Sequence, residues 1–219
     1  MFRDRVEAGQ LLGEHLRACV QGPAVVLGIP RGGVIVAGPV AEALGAQLDI
    51  IVPRKIGAPG EPELAVGALA LAEGEEILLR DEVSLQRLGV GAAYLGTEVA
   101  RQRREIERRE LAYRSGRAAV SLAGRSVVLV DDGIATGLTA RAAAAAVARQ
   151  GPREVILAAP VAPAETLDDF RRAGIRVEVL EAPAFFMAVG QFYEDFRQVT
   201  DDEVRALLAR AAAPRAPGR

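Results

Sequence analysis

The sequence predicts an α/β fold: a doubly wound parallel sheet with helices on both faces. Three observations carry that prediction. Short apolar stretches recur at Ala24–Ile29, Leu48–Val52, Ser126–Val130, Glu154–Ala159 and Arg176–Leu180, the look of strands buried in a parallel sheet. Segments of helical length separate them, at Val34–Leu44, Thr139–Gln150 and Pro163–Ala173, and Gly45 and Gly174 stand where two of them stop. The order β-loop-α-β then implies an α/β fold with a parallel sheet.

The elements follow in chain order. Asp4-x-x-Glu7 is a capping-box pattern that opens an amphipathic helix, with Val6, Leu11, Leu12, Leu16 and Val20 on or near one face. Gly22-Pro23 stops it before the first strand. Gly32-Gly33 joins that strand to the next helix. Segment 53–115 reads differently and is expected to be an insertion or lid within a single domain spanning 1–219. Pro53–Pro62 is rich in Gly and Pro, and Leu64–Leu71 with Ile77–Leu79 alternates weakly, as an exposed hairpin does. Thr97–Arg114 is a strongly charged helix whose apolar positions are Val99, Ile106, Leu111 and Tyr113, a pattern solvated on most sides. Thr200-x-x-Glu203 is a second capping box, and Ala211–Arg219 reads as a frayed tail. The Ala-rich segment Thr139–Gln150 suits close packing on the sheet or on a second subunit.

Composition narrows the function classes. Half of the 219 residues are hydrophobic and 26% are charged, an ordinary globular balance. The formal charge of -2 supplies no global basic field, so nucleic acid and anionic membranes are not expected partners. No run of about 18 apolar residues occurs and no signal-like apolar segment follows Met1, so a cytoplasmic protein is expected. Cys19 is the sole cysteine and His15 the sole histidine, which argues against a His/Cys zinc cluster, and both read as structural residues of the first helix.

The chemistry concentrates in Ser126–Arg141, SVVLVDDGIATGLTAR. A buried strand ends in Asp131 and Asp132, a Gly/Thr loop follows, and a helix begins. Ligands of open α/β sheets bind beyond the carboxyl ends of the strands. Carboxylates there accept hydrogen bonds from vicinal hydroxyls, which suits a ribose. Ala135, Thr136, Gly137, Leu138 and Thr139 offer backbone N–H groups, two hydroxyls and the positive end of a helix, a cradle for phosphate. Ribose 5-phosphate is the ligand that fits both halves. Neither a P-loop Gly-Lys-Ser/Thr nor a Rossmann G-x-G-x-x-G is present.

VVLVDDGIATGLT at 127–139 resembles the phosphoribosyl-pyrophosphate (PRPP) signature of the type I phosphoribosyltransferases. Gly28–Gly33, GIPRGG, is similar to that family's pyrophosphate loop, notably the Ser-Arg-Gly-Gly of bacterial guanine/xanthine enzymes. The resemblance implies the type I fold with a C-terminal hood at about 181–200, transfer of ribose 5-phosphate from PRPP to a nitrogenous base, release of pyrophosphate, Mg²⁺ as cofactor, and a homodimer. It implies that Asp131, Asp132 and Arg31 are catalytic and that the two acids serve Mg²⁺, directly or through water. The loop 135–139 would hold the 5-phosphate, and Pro30, Arg31, Gly32, Gly33, Arg54 and Lys55 the pyrophosphate. A cis peptide is implied between Arg31 and Gly32. Arg101, Arg104 and Arg108 are either further pyrophosphate contacts or a solvated helix face. Five of the nine aromatics fall within Phe185–Phe196, and Phe185 and Phe186 are the candidates for stacking on a nucleobase, a C-terminal core or dimer contact being the other reading.

One departure bears on substrate. In the family's 6-oxopurine enzymes an Asp stands at the third place after the acid pair, and here that place is Ala135. Two other readings stay open: a regulatory module that binds PRPP or a nucleotide without turnover, and a hydrolase built on the same site.

Overall fold

A computed structural model describes residues 1–72 and 75–213. Its centre is a five-stranded parallel sheet in the order β2-β1-β6-β7-β8. The strands are β1 (Ala24–Gly28), β2 (Gln47–Ile50), β6 (Ser126–Val130), β7 (Glu154–Val161) and β8 (Arg176–Glu181). From β1 the chain passes through α2 (Gly32–Leu44) outward to β2. From β6 it passes through α5 (Leu138–Ala148) and α6 (Ala164–Arg172) outward the other way, to β7 and β8. The direction of winding therefore reverses between β1 and β6, and a crevice opens beyond their carboxyl ends.

Every residue of β1 and β6 is buried, because each strand is covered on both faces. Val26, Val128 and Val130 pack with Leu12 and Leu16 of α1 (Arg5–Arg17), with Val36 and Val40 of α2, and with Leu208 of α7 (Asp201–Ala212). Val25, Leu27, Val127 and Leu129 face α5 and Phe170 of α6. Alternate side chains thus enter two cores, as the two-residue period of a strand requires. Capping fixes the flanking helices: Asp4 accepts from the Glu7 N–H at 2.8 Å, and the Thr200–Glu203 capping box forms as expected. Ala211 and Ala212 extend α7, and the rest of the expected tail from residue 214 lies outside the described residues.

The face of α1 differs from the expected one. Leu12 and Leu16 are buried, but Val6 and Leu11 are 46% and 44% exposed, and Gly9 and Gly13 take the inner positions instead. A Cβ on Gly9 would stand 2.5 Å from the Val36 carbonyl oxygen, so the small residues are what let α1 lie so close to α2.

Segment 53–115 is also built more firmly than an exposed hairpin. It forms a three-stranded antiparallel sheet, β3 (Arg54–Ala58), β4 (Glu61–Ala72) and β5 (Glu75–Arg80), followed by α3 (Glu82–Arg87) and α4 (Ala92–Arg114). Ile56, Val66 and Leu69 join the core that includes Leu95, Val99 and Ile106 of α4, while Ala68, Ala70 and Ala72 join the core around α5. Val66–Ala70 is fully covered, so the weak alternation of β4 reflects burial on both faces rather than one wet face. The Ala-rich helix is thereby placed: Ala142, Ala143 and Ala146 have no exposure, and α5 lies between the central sheet and the second sheet of the same chain. Among the described residues no helix is long and apolar enough to cross a membrane.

Candidate functional site

The crevice beyond β1 and β6 brings the two sequence motifs into contact. The Ile29 N–H donates to the Val130 carbonyl at 2.8 Å, which ties the loop after β1 to the end of β6. A Cβ on Gly32 would overlap Oδ2 of Asp132, and one on Gly33 would lie 2.6 Å from the Val130 carbonyl oxygen. Glycine is required at both places because the loop lies directly against the acid pair. The expected cis peptide lies one bond earlier than the family pattern implied, between Pro30 and Arg31 rather than Arg31 and Gly32.

Two helix N-termini serve the crevice. Neither α2 nor α5 has a side chain hydrogen-bonded to its first-turn N–H groups, and apart from the Val34 N–H, which donates to the Arg31 carbonyl at 3.2 Å, those donors remain open to an anion. Gly137 caps α5 with φ of 72°, a left-handed conformation, and a Cβ there would also strike the Phe170 ring at 2.6 Å. In the same loop Ala135 and Thr136 are exposed, and the Ala135 carbonyl accepts from the Thr166 hydroxyl at 2.7 Å.

The acid pair is held from several sides. Asp131 Oδ1 accepts from the Asp132 N–H at 2.9 Å. Burial first, and the Asp132 carboxylate second, push the Asp131 carboxyl well above the ordinary range. Asp132 Oδ2 accepts from Arg5 Nε at 2.7 Å, with the Arg5 side chain 9% and the Asp132 side chain 16% exposed. Arg5 also donates to the Arg197 carbonyl at 2.9 Å, and its guanidinium lies 3.9 Å over the Phe196 ring. The Tyr193 hydroxyl donates to the Asp132 carbonyl at 2.6 Å, and burial raises its phenol strongly. Among the described residues no donor reaches the second oxygen of either carboxylate. Two hard oxygen donors whose mutual repulsion a cation relieves fit a divalent ion such as Mg²⁺.

The comparisons with known proteins give the family and the fold. The sequence profile of the phosphoribosyl transferase domain matches residues 6–197. The chain belongs to that family. A Mycobacterium tuberculosis protein provisionally named a phosphoribosyl transferase is 44% identical over 211 residues, 96% of this chain and 47% of that protein. The chain thus spans about half the length of the curated relatives it matches. The crystal structure of TT1426 from Thermus thermophilus is 44% identical and superposes with a TM-score of 0.81, covering 97% of this chain and 100% of that one.

Within this phosphoribosyl transferase domain the other candidate residues are placed unevenly. The Arg31 side chain lies 3.7 Å from Asp201 at the start of α7, and Asp201 also accepts from the Tyr113 hydroxyl at 2.8 Å. Arg54 donates to Gln102 of α4 at 2.9 Å, and Lys55 reaches the Glu63 carbonyl and carboxylate at 3.0 Å, so neither shares a partner with the crevice loops. Arg101 and Arg108 pair with Glu98 and Glu105 on their own helix, the solvated-face arrangement. Arg101 bonds three residues back rather than to Glu105 four ahead. Phe185 is 70% exposed and Phe186 packs on Phe192 with ring centroids 5.3 Å apart. The aromatics that reach the acid pair and its arginine are Tyr193 and Phe196. Arg5 gave no signal in the sequence, because its partner lies 127 positions away.

Proposed function

We propose that the domain transfers ribose 5-phosphate from PRPP to a nitrogenous base and releases pyrophosphate. The observation that supports this most directly is the contact between the Gly32-Gly33 turn and the Asp131–Asp132 pair at the point where the sheet reverses. Loop 135–139 and the open N-terminus of α5 hold the 5-phosphate and so fix the ribose. Asp131 and Asp132 accept from the ribose hydroxyls, and the Asp132 carboxylate favours the cationic character that develops as the anomeric C–O bond breaks. The N–H groups at the start of α2 receive the pyrophosphate, and Arg31 adds its charge by leaving Asp201. Asp131 and Asp132 would hold Mg²⁺, which supplies charge neutralisation for the diphosphate when bound. Segment 53–115 and the hood at 181–200 exclude water, with Phe185 and Phe186 available to stack on the base. Lys55 and Arg54 contribute to pyrophosphate only if their bonds to Glu63 and Gln102 open.

Ala135 presents no carboxylate to the acceptor, and its carbonyl is already bonded to Thr166. The acceptor is therefore a base whose nitrogen needs no deprotonation by that residue, which disfavours 6-oxopurines. The same substitution suits a domain that senses PRPP, so one assay addresses both readings. Pyrophosphate release from Mg–PRPP is followed with purines, pyrimidines and pyridines in turn. The transferase reading predicts release that depends on one class of base. Release without any base identifies a hydrolase, and tight binding without release a sensor; either outcome overturns transfer.

A further inference from the structure

Far from the crevice, the chain's only histidine and only cysteine meet a carboxylate. His15 and Cys19 lie four residues apart where α1 ends, and Glu178 comes from the edge strand β8, 163 positions after His15. The His15 Nε2 and Glu178 Oε2 atoms are 3.0 Å apart. One ligating atom from each of the three residues lies within 4.8 Å of the other two. Two donors bound to one tetrahedral zinc ion stand roughly 3.4–3.6 Å apart, so the wider separations need to close by up to about 1 Å and the His15–Glu178 pair to open by about 0.5 Å, a side-chain adjustment. We propose that His15, Cys19 and Glu178 form a zinc site with water in the fourth position.

The chemistry selects that metal. An imidazole, a thiolate and a carboxylate are the three protein donors zinc takes, and the sulfur disfavours Mg²⁺ and Ca²⁺. The surroundings hold the donors in place. Arg176 donates from Nε to Glu178 Oε1 at 3.2 Å and from NH2 to the Cys19 carbonyl at 3.0 Å, which steadies two of the three ligands. Its charge is countered by Glu154, bonded to Arg176 NH1 at 3.0 Å, so the local balance favours a cation once the thiolate forms. Counting one His and one Cys in the sequence argued against a zinc cluster because the third donor is distant in the chain. Zinc here would clamp the end of α1 to β8 and leave the Mg²⁺ crevice untouched.

Cobalt(II) is the probe, because a cobalt–sulfur bond has a charge-transfer absorption that oxygen ligands do not give. The protein titrated with Co²⁺ should develop that band at one equivalent per chain, and Zn²⁺ should bleach it. Cys19→Ser should abolish the band. His15→Gln and Glu178→Gln should each weaken zinc by about tenfold or more, since even an outer-shell partner is felt on that scale. Zinc should raise the Tm of the wild type and not that of Cys19→Ser. Absence of the band, zinc affinity unchanged in Cys19→Ser, or a band indifferent to both His15→Gln and Glu178→Gln would overturn the site. All three positions are at least partly exposed, and circular dichroism verifies that each variant folds.

Discussion

Arg5 decides how Asp132 behaves. Removing one partner of a largely buried ion pair leaves the other charge unpaired, at a cost of about 3 kcal/mol. Arg5→Met should lower stability by that amount in urea unfolding. The double variant with Asp132→Asn should cost less than the two single changes added, because the pair is in direct contact. Strict additivity would show that Arg5 acts through Phe196 and the Arg197 carbonyl instead. Glu105 gives a pH signature. The hydrogen bond from Arg108, then that from Arg109, lowers its carboxyl from 4.5 to about 2. A depressed folded-state pKa contributes stability that is fully present above about 4.5 and is lost as pH falls towards 2. The stability gap between wild type and Glu105→Gln should therefore be largest near neutrality, within about 1 kcal/mol for so open a pair, and close across that window. A gap that widens in acid would reverse the assignment. At this scale the sequence was partly legible. Asp131, Asp132, Gly32 and Gly33 stand out in the sequence because their types and spacing suit a sugar-phosphate site, and the structure brings them into contact. Arg5, Tyr193 and Phe196 were not singled out, because what they do depends on which distant backbone they meet.

Among the elements, the central strands were legible for a physical reason: strands buried on both faces are runs of Val, Ile and Leu. The second sheet was less so. Arg54–Ala58 contains one large apolar residue, and β4 buries mostly Ala and Gly, which carry little signal of strand or depth. The start of α4 at Ala92, five residues before the charged stretch, was hidden likewise behind Ala, Gly and Tyr. Small residues there reflect space rather than weakness. With α5 caught between two sheets, Ala143 has no room to grow. Ala143→Leu should destabilise by about 1–3 kcal/mol through overpacking. In a thermal melt that is a fall of about 2–4 °C per kcal/mol for a chain of this size. An unchanged Tm would mean that this face of α5 meets open space.

Across the whole molecule, the proposed function rests on where the winding reverses. The loops after β1 and β6 lie side by side, and the N-terminal helix and the segment around Tyr193 and Phe196 close over them from opposite ends of the sequence. On the proposed function, a near-neutral chain needs such a local arrangement to hold a highly anionic sugar diphosphate, since its overall field does not help. Calorimetric titration of Mg–PRPP into the wild type and into the Asp131→Asn/Asp132→Asn variant tests this most directly. The predicted result is a single site in the wild type and no detectable binding in a variant that circular dichroism shows to be folded. Equal affinity in the two proteins would contradict the account.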